Sequence, residues 1–403
     1  MKTVSSRAQK LIASPIRKFF PLAESARKKG VEVLKLNIGD PDLMPPQALF
    51  RTLAKLAKLS NFNYAPSSGI ELCVSAWQKY YQKLGLKFEK ENIIPTVGAS
   101  EAIQFALWAL ADPGDEIIVF EPLFTNYKAL AALLDVKLRP VTLKLKDNFQ
   151  LPGAKEIVRL ITKKTKAILI INPDNPTGKV WQPREIKEVI DIARKYNLAI
   201  IADETYREIN FIGQTKSILS YNGAKERTIL IDSLSKRFTI PGMRTGVIAT
   251  TNAEWSQTIL KIAMARLSAP TIGQLVTAAL LGNARKYTDE IRIEYKKRSA
   301  VVQTELKKIS GITINQPQGA FYQVVGLPVK DAEDFIRFML TEFSHRKKTV
   351  WVSPMADFYI TPGLGKNEIR LAYVLESKKL REAVEILGRG LVAYQKTFKH
   401  LNI

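Results

Sequence analysis

Between residues 92 and 251 the chain alternates short apolar, β-branched runs with longer stretches of helical periodicity. The short runs are NIIPTVG, EIIVFE, VKLRPVTL, KAILIIN, LAIIAD, TILIDS and GVIATT; helical patterns such as ASEAIQFALWALA and PREIKEVIDIARKYN lie between most of them. Apolar runs separated by helices predict a mostly parallel seven-stranded sheet covered on both faces. From about 282 to 310 the sequence reads as one long helix leading into a second unit. That unit carries strand signals at GAFYQVVGL and EIRLAYVL, a helix at DAEDFIRFMLTEF and a terminal helix. The segment VLKLNIG (33–39) reads as a strand that could pair in either unit. The pattern predicts an α/β protein divided into three parts: an N-terminal arm with part of the small domain (1–45), a large domain (46–285) and a small C-terminal domain (286–403).

With 403 residues the chain is long enough for more than one domain. Its hydrophobic fraction of 46% fits a soluble globular enzyme and excludes a disordered chain. No apolar run reaches the length of a membrane span. The first twenty residues contain no acid, which raises the question of a transit peptide. They also lack a continuous apolar segment and a cleavage pattern, so we read them as an ordered arm. The net charge of +23 invites a nucleic-acid partner. The basic residues are spread along the whole chain, in LITKKTKA, EYKKRSA and SHRKKTV, with no interleaved aromatics, and we read them as solvated surface. Neither nucleic acid nor membrane is expected as a partner. The single cysteine, Cys73, cannot close an intrachain disulfide and suits a reducing, cytoplasmic setting. Two histidines, His345 and His400, make a metal centre or a serine–histidine triad a poor expectation, and no metal is expected.

In open α/β sheets ligands bind beyond the carboxyl ends of strands, so the residues following each run are the place to look for chemistry. PTVG leads into Ala99, Ser100 and Glu101 at a helix start, where backbone N–H groups and the helix dipole can hold a phosphate. KAILIIN leads into PDNPTG, a turn presenting Asn175. LAIIAD ends on Asp203, with Tyr206 three residues on. TILIDS ends in the run that carries Ser233, Ser235 and Lys236, and Arg244 follows one loop later. Each alone could be a cap or turn residue. Together they deliver a phosphate cradle, an amide, an acid and an amine to one edge of one sheet.

On these residues the chain resembles the class I/II, fold type I pyridoxal-phosphate aminotransferases of the aspartate aminotransferase kind. The likeness runs through NIGDPD (37–42), YAPSSGIELC (from Tyr64), TVGASEAI (96–103), PGDEIIVFEPLFTNY (113–127) and NPDNPTG (172–178). It continues through ADETY (202–206), SLSKRFTIPGMRTG (233–246), PQGAFY (317–322) and IRLAYV (369–374), nearly the whole length. The resemblance implies an α-amino acid:2-oxo acid aminotransferase working by a ping-pong cycle on pyridoxal 5'-phosphate, with glutamate/2-oxoglutarate as one pair. It implies that Lys236 binds the cofactor covalently and then moves the substrate α-proton. Asp203 would pair with the ring nitrogen, Asn175 and Tyr206 with the ring oxygen, and Phe124 would stack on the ring. Ala99, Ser100, Ser233 or Ser235, and Arg244 would hold the phosphate. Tyr64 would reach the phosphate of the neighbouring chain in a homodimer with shared active sites. Arg370 would take the substrate α-carboxylate, Asn175 would also bind substrate, and Gly39 would let the backbone approach the substrate from the small domain.

One position departs from the pattern. Where aspartate-type relatives carry a lysine that helps hold the distal carboxylate, this chain has Ser100. Distal-acid recognition therefore does not carry over, and Arg17 in ASPIRKFF is a candidate substitute beside its reading as surface charge. A lyase or decarboxylase on the same fold is the alternative activity, because the electron sink is common to both. A regulator using the fold as an amino-acid sensor is the non-enzyme alternative, and would carry an added DNA-binding module.

Overall fold

The computed structural model describes residues 4–9, 11, 14–282 and 284–398; His400 lies outside them. The first strand, β1 (Glu32–Lys35), belongs to neither large sheet. Seven strands follow: β2 (Ile93–Thr96), β3 (Glu116–Glu121), β4 (Lys137–Thr142), β5 (Thr165–Ile171), β6 (Ala199–Asp203), β7 (Thr228–Ser233) and β8 (Gly246–Ala249). They form one sheet in the order β2-β8-β7-β6-β5-β3-β4. All neighbours are parallel except β8, which runs antiparallel to both β2 and β7. Every apolar run between 92 and 251 thus becomes a strand of this sheet.

Apart from the part-exposed edge strand β4, the strands are apolar on both faces because both faces are covered. Ile118, Ile168, Ile200, Leu230 and Val247 point into one core, shared with Trp77, Val189 and Phe238. Their neighbours Ile117, Ala167, Ile201, Ile229 and Ile248 point into another, shared with Phe105, Tyr127 and Ile259. This is the period-two alternation of a strand, with helices on each side.

The second unit holds β9 (Thr313–Ile314), β10 (Tyr322–Gly326), β11 (Lys348–Trp351), β12 (Ser353–Pro354) and β13 (Glu368–Ala372). Four of these form an antiparallel sheet in the order β12-β13-β10-β9. The pairing of VLKLNIG is decided here, since β1 pairs in parallel with β11, Glu32 opposite Lys348 and Lys35 opposite Trp351. Strand β11 had no clear signal in the sequence. A third core fills this unit and includes Leu36, Phe321, Phe335, Trp351, Leu371 and Leu387. The long helix Ala284–Leu306 serves both units: Ala284 enters the core of the large sheet, and Ile291, Tyr295, Val302 and Leu306 enter that of the second.

Candidate active site

A cavity of about 700 Å³ opens at the carboxyl ends of β5, β6 and β7, where the second unit meets the large sheet. This is ample for a cofactor and a small substrate. Its lining includes Gly39, Ala99, Ser100, Phe124, Asn175, Asp203, Tyr206, Ser233, Ser235, Lys236, Arg244 and Arg370. The structure therefore brings together every site residue expected from the sequence except Tyr64. That residue is 85% exposed and lines no part of its own chain's cavity.

Local sequence explains how each group arrives. At the end of β7 the Ser233 hydroxyl accepts the Ser235 N–H (3.1 Å), capping the short helix Leu234–Arg237 that carries Lys236. The same hydroxyl bonds the Thr245 carbonyl (2.7 Å) and the Ser235 hydroxyl (2.9 Å). Ser233 is thus largely occupied by the turn, and Ser235 is the better placed of the two for a ligand. After β5, Asp174 accepts the Thr177 N–H (3.1 Å) and hydroxyl (2.5 Å), closing the turn that presents Asn175. After β2 the helix Gly98–Leu110 begins on Gly98 at φ +73°. The N–H groups of its first turn have no partner carbonyl within the helix. A Cβ on Gly246 would lie 2.9 Å from the Ala99 nitrogen and closer still to Gly98, so only glycine lets β8 approach this helix start.

The charges are arranged unequally. The Lys236 amine donates to the Gly39 carbonyl (2.9 Å). Burial, with help from Arg244 and Arg370 and against Asp40, lowers its pKa to about 8. Asp203 is 7% exposed and receives the Thr205 N–H (2.9 Å) and the Tyr127 hydroxyl (2.8 Å). Burial raises its pKa above the usual carboxylate range, opposed by the bonds from Thr205 and Tyr127. No basic side chain among the described residues pairs with it. Arg370, 1% exposed, donates to Asn175 Oδ1 (2.9 Å) and the Asn37 carbonyl (2.7 Å), and its guanidinium lies 4.3 Å from the Tyr322 ring centre. Among the described residues its Nε has no partner. The Tyr206 hydroxyl meets that of Tyr322 at 2.8 Å. Arg244 donates to the Pro241 carbonyl (3.0 Å) and lies against Gly98, where a Cβ would come within 2.7 Å of its Nη2. Gly39 is equally confined, since a Cβ would sit 2.1 Å from the Tyr322 hydroxyl.

Sequence reasoning passed over three residues that this geometry makes important: Tyr127, Tyr322 and Asn37. Each lies inside a motif already noted, EPLFTNY, PQGAFY and NIGDPD. Only Asn37 carried a signal of its own, a polar side chain at the end of an apolar run; Tyr127 sits in the helix Thr125–Leu133 and Tyr322 at the start of β10, and their partners are distant in sequence. Among the described residues, no group of three or more histidines, cysteines or acids is placed to hold a metal ion.

A mostly parallel sheet that brings a lysine and a buried carboxylate together at its strand ends suits a cofactor-dependent group-transfer enzyme. The chain belongs to the family "Aminotransferase class I and II", whose profile matches residues 31–387. It is a fold type I pyridoxal-phosphate-dependent aminotransferase. An aspartate aminotransferase of Pyrococcus horikoshii is 30% identical, over 96% of this chain and 97% of its own length. An aromatic-amino-acid aminotransferase of Thermococcus litoralis is 29% identical, over 96% and 98% of the two chains. A solved alanine aminotransferase of Pyrococcus furiosus superposes with a TM-score of 0.88 at 28% identity, over 97% of this chain and all of the other. Family membership implies use of pyridoxal phosphate. The residues present fit that group: an amine for its aldehyde, a lone carboxylate for its ring nitrogen, and a glycine-lined helix start with an arginine for its phosphate.

Proposed function

We propose that the enzyme moves an amino group between an α-amino acid and a 2-oxo acid in a ping-pong cycle, with glutamate and 2-oxoglutarate as one pair. The observation that carries this reading is the meeting, in one cavity, of an amine whose pKa is lowered to about 8 with a buried carboxylate that has no cationic partner among the described residues. When bound, pyridoxal phosphate supplies an aldehyde and an electron-accepting ring. Lys236, neutral in a useful fraction near pH 8, would hold the aldehyde and would carry the substrate α-proton at Nζ. Asp203 keeps a proton on the ring nitrogen, and Tyr127 orients Asp203. Asn175 and Tyr206 donate to the ring oxygen, and Phe124 covers the ring.

The N–H groups of Ala99 and Ser100, the Ser235 hydroxyl and Arg244 hold the phosphate, with Ser233 fixing their turn. Arg370 receives the substrate α-carboxylate through its planar fork, and Gly39 keeps the approach open. We assign Tyr64 to the cofactor site of a second copy in a homodimer. Its exposure supports this, as does an apolar surface nearby that includes Phe50, Leu59, Phe62 and Ile272. The lone thiol, Cys73, is buried, and its pKa is pushed up to about 12, so it reads as inert. A cytoplasmic location suits it.

The test is nitrogen transfer. The cofactor-loaded enzyme is mixed with ¹⁵N-labelled amino acids and 2-oxoglutarate, and ¹⁵N-glutamate is measured with the matching 2-oxo acid. Release of ammonia or carbon dioxide in place of labelled glutamate would reject the reading in favour of a lyase or decarboxylase.

A further inference from the structure

Four cationic side chains line the cavity, Arg17, Lys236, Arg244 and Arg370, against two carboxylates, Asp40 and Asp203. The proposed function assigns Lys236 to the aldehyde, Arg244 to the phosphate and Arg370 to the α-carboxylate. Arg17 is left without a task. Among the described residues it has no acidic partner and its side chain makes no hydrogen bond. Its neighbour Lys18 behaves differently, gripped by Glu333 and also 3.4 Å from Asp357. One cation of the arm fastens it to the second unit, and the other faces the cavity.

The arm is fixed with respect to the α-carboxylate arginine. The Asn37 side chain donates to the Ile16 carbonyl (2.8 Å). The Asn37 carbonyl accepts from Arg370 (2.7 Å) and from Ser353 (2.9 Å). A single buried residue therefore ties the backbone beside Arg17 to the guanidinium of Arg370. The same cavity is lined by Ile16 and Ile38, apolar surface suited to methylene groups, and by Ser14 and Asn126. Ser100 provides no charge there.

We propose that Arg17 receives the second carboxylate of a dicarboxylic substrate while Arg370 holds the first, which makes it the residue that sets acceptance of acidic side chains. The proposal rests on the aminotransferase reading and names how one of its two substrates is recognised. A ping-pong enzyme must take two different side chains in turn at one site. Arg17 is exposed, so an uncharged side chain leaves it hydrated at little cost, whereas a buried cation in that role would be stranded. A solvent-facing arginine on a tethered arm therefore permits a charged and an uncharged substrate to share the cavity.

The experiment compares wild type with Arg17→Gln and Arg17→Lys by two measurements. The first is the ratio of kcat/KM for glutamate to that for 2-aminopentanoate, which has the same number of carbons without the second acid. The second is calorimetric binding of glutarate and of pentanoate to the cofactor-loaded protein, which needs no turnover. Arg17→Gln should lower the ratio by about 10–100-fold, mainly through KM for glutamate, and weaken glutarate by a similar factor relative to pentanoate. Arg17→Lys should recover part of both. A ratio within threefold of wild type, or equal weakening of both acids, overturns the proposal. Failure of the aminotransferase reading would show separately, as absence of nitrogen transfer by wild type, while the calorimetry still reports on Arg17.

Discussion

Two aspartates on adjacent strands have opposite surroundings. Asp203 ends β6 and Asp232 lies one residue before the end of β7; both are buried, at 7% and 0% exposure. Asp232 is clamped by Arg237 (2.5 and 2.6 Å) and Arg207 (2.5 Å), and also accepts the Ser233 N–H (2.7 Å). Around it Arg207 meets Glu204 (3.1 Å), and Arg237 lies 4.5 Å from the Tyr80 ring centre. The two buried arginines are matched by Asp232 and Glu204, with the half-buried Glu208 4.0 Å from Arg237 at the edge of the cluster. Asp203 receives only neutral donors, and a buried carboxylate with no cation is costly. On the proposed function the difference separates scaffold from site: the balanced aspartate fixes the turn that carries Lys236, and the unbalanced one would meet a ligand that brings positive charge. The same division runs between neighbours in sequence, since Lys236 faces the cavity while Arg237 is sealed in the cluster.

Breaking each side of this division should damage a different property. Lys236→Ala should show the largest effect, with turnover falling by more than about 10²–10⁴-fold, the usual contribution of a positioned base. It should also lose any cofactor adduct that borohydride can fix to the chain. Its stability should not fall, because the change removes a desolvated amine. Kinetics, mass spectrometry after reduction, and urea unfolding check the three statements.

Asp232→Asn and Asp203→Asn form the direct comparison. The first leaves Arg207 and Arg237 undercompensated in the interior and should cost about 3–5 kcal/mol of stability by urea unfolding. The second should leave stability within about 1 kcal/mol of wild type while slowing α-proton removal about 10²–10³-fold, the scale of one lost preorganised electrostatic group. Single-turnover exchange of α-deuterium reads the rate. If Asp203→Asn proved the more destabilising of the pair, the assignment of scaffold and site would be reversed.

The same contrast marks what the sequence could reveal. All seven strands of the large sheet were legible: six are buried on both faces and leave short apolar runs, while the edge strand β4, mostly part-exposed, keeps its apolar residues interspersed with Lys137 and Arg139. The groups at the strand ends were legible too, since topology alone carries Asn175, Asp203 and Lys236 to one edge. The β11 strand was not, because KTVW is short and follows the basic loop SHRKK, and only pairing with β1 gives it a partner. The cluster around Asp232 was equally hidden. Its members come from positions 80, 204, 207, 232 and 237, and no local pattern announces that they meet. Tyr127 was in view as part of EPLFTNY, yet its bond to Asp203 spans 76 positions and exists only once β3 and β6 share a sheet.

That bond supplies a sharper test. Tyr127→Phe preserves the ring in its core and removes only the hydroxyl, leaving Asp203 with fewer donors. Loss of a donor to a charged group favours the protonated acid, so the Asp203 pKa should rise further and α-proton removal should slow by about tenfold. Cofactor binding should weaken less than in Asp203→Asn, because the charge remains. A Tyr127→Phe enzyme as slow as Asp203→Asn would mean that the hydroxyl acts on the substrate directly.

The smallest expected effect is a shift along the pH axis. In the cofactor-free protein the Lys236 amine titrates near 8, below its ordinary 10.5, because burial and the charges of Arg244 and Arg370 disfavour the ammonium form. The folded chain therefore gives up this proton before the unfolded chain does. Between about 8 and 10.5 the unfolded state binds more protons, so this group makes stability rise with pH across that window. Below 8 both states are charged and the full cost of burying the ammonium applies. On the proposed function cofactor uptake requires this amine in its neutral form, so its rate should climb with pH around a midpoint near 8. Arg370→Gln and Arg244→Gln each remove a repelling cation and should move that midpoint upward, by up to about one unit. Asp40→Asn removes an attracting anion and should move it downward. Stopped-flow absorbance of cofactor uptake from pH 6 to 10 measures all three. A midpoint that stayed fixed in every variant would show that burial alone sets the amine, and that the neighbouring charges act only on the ligands.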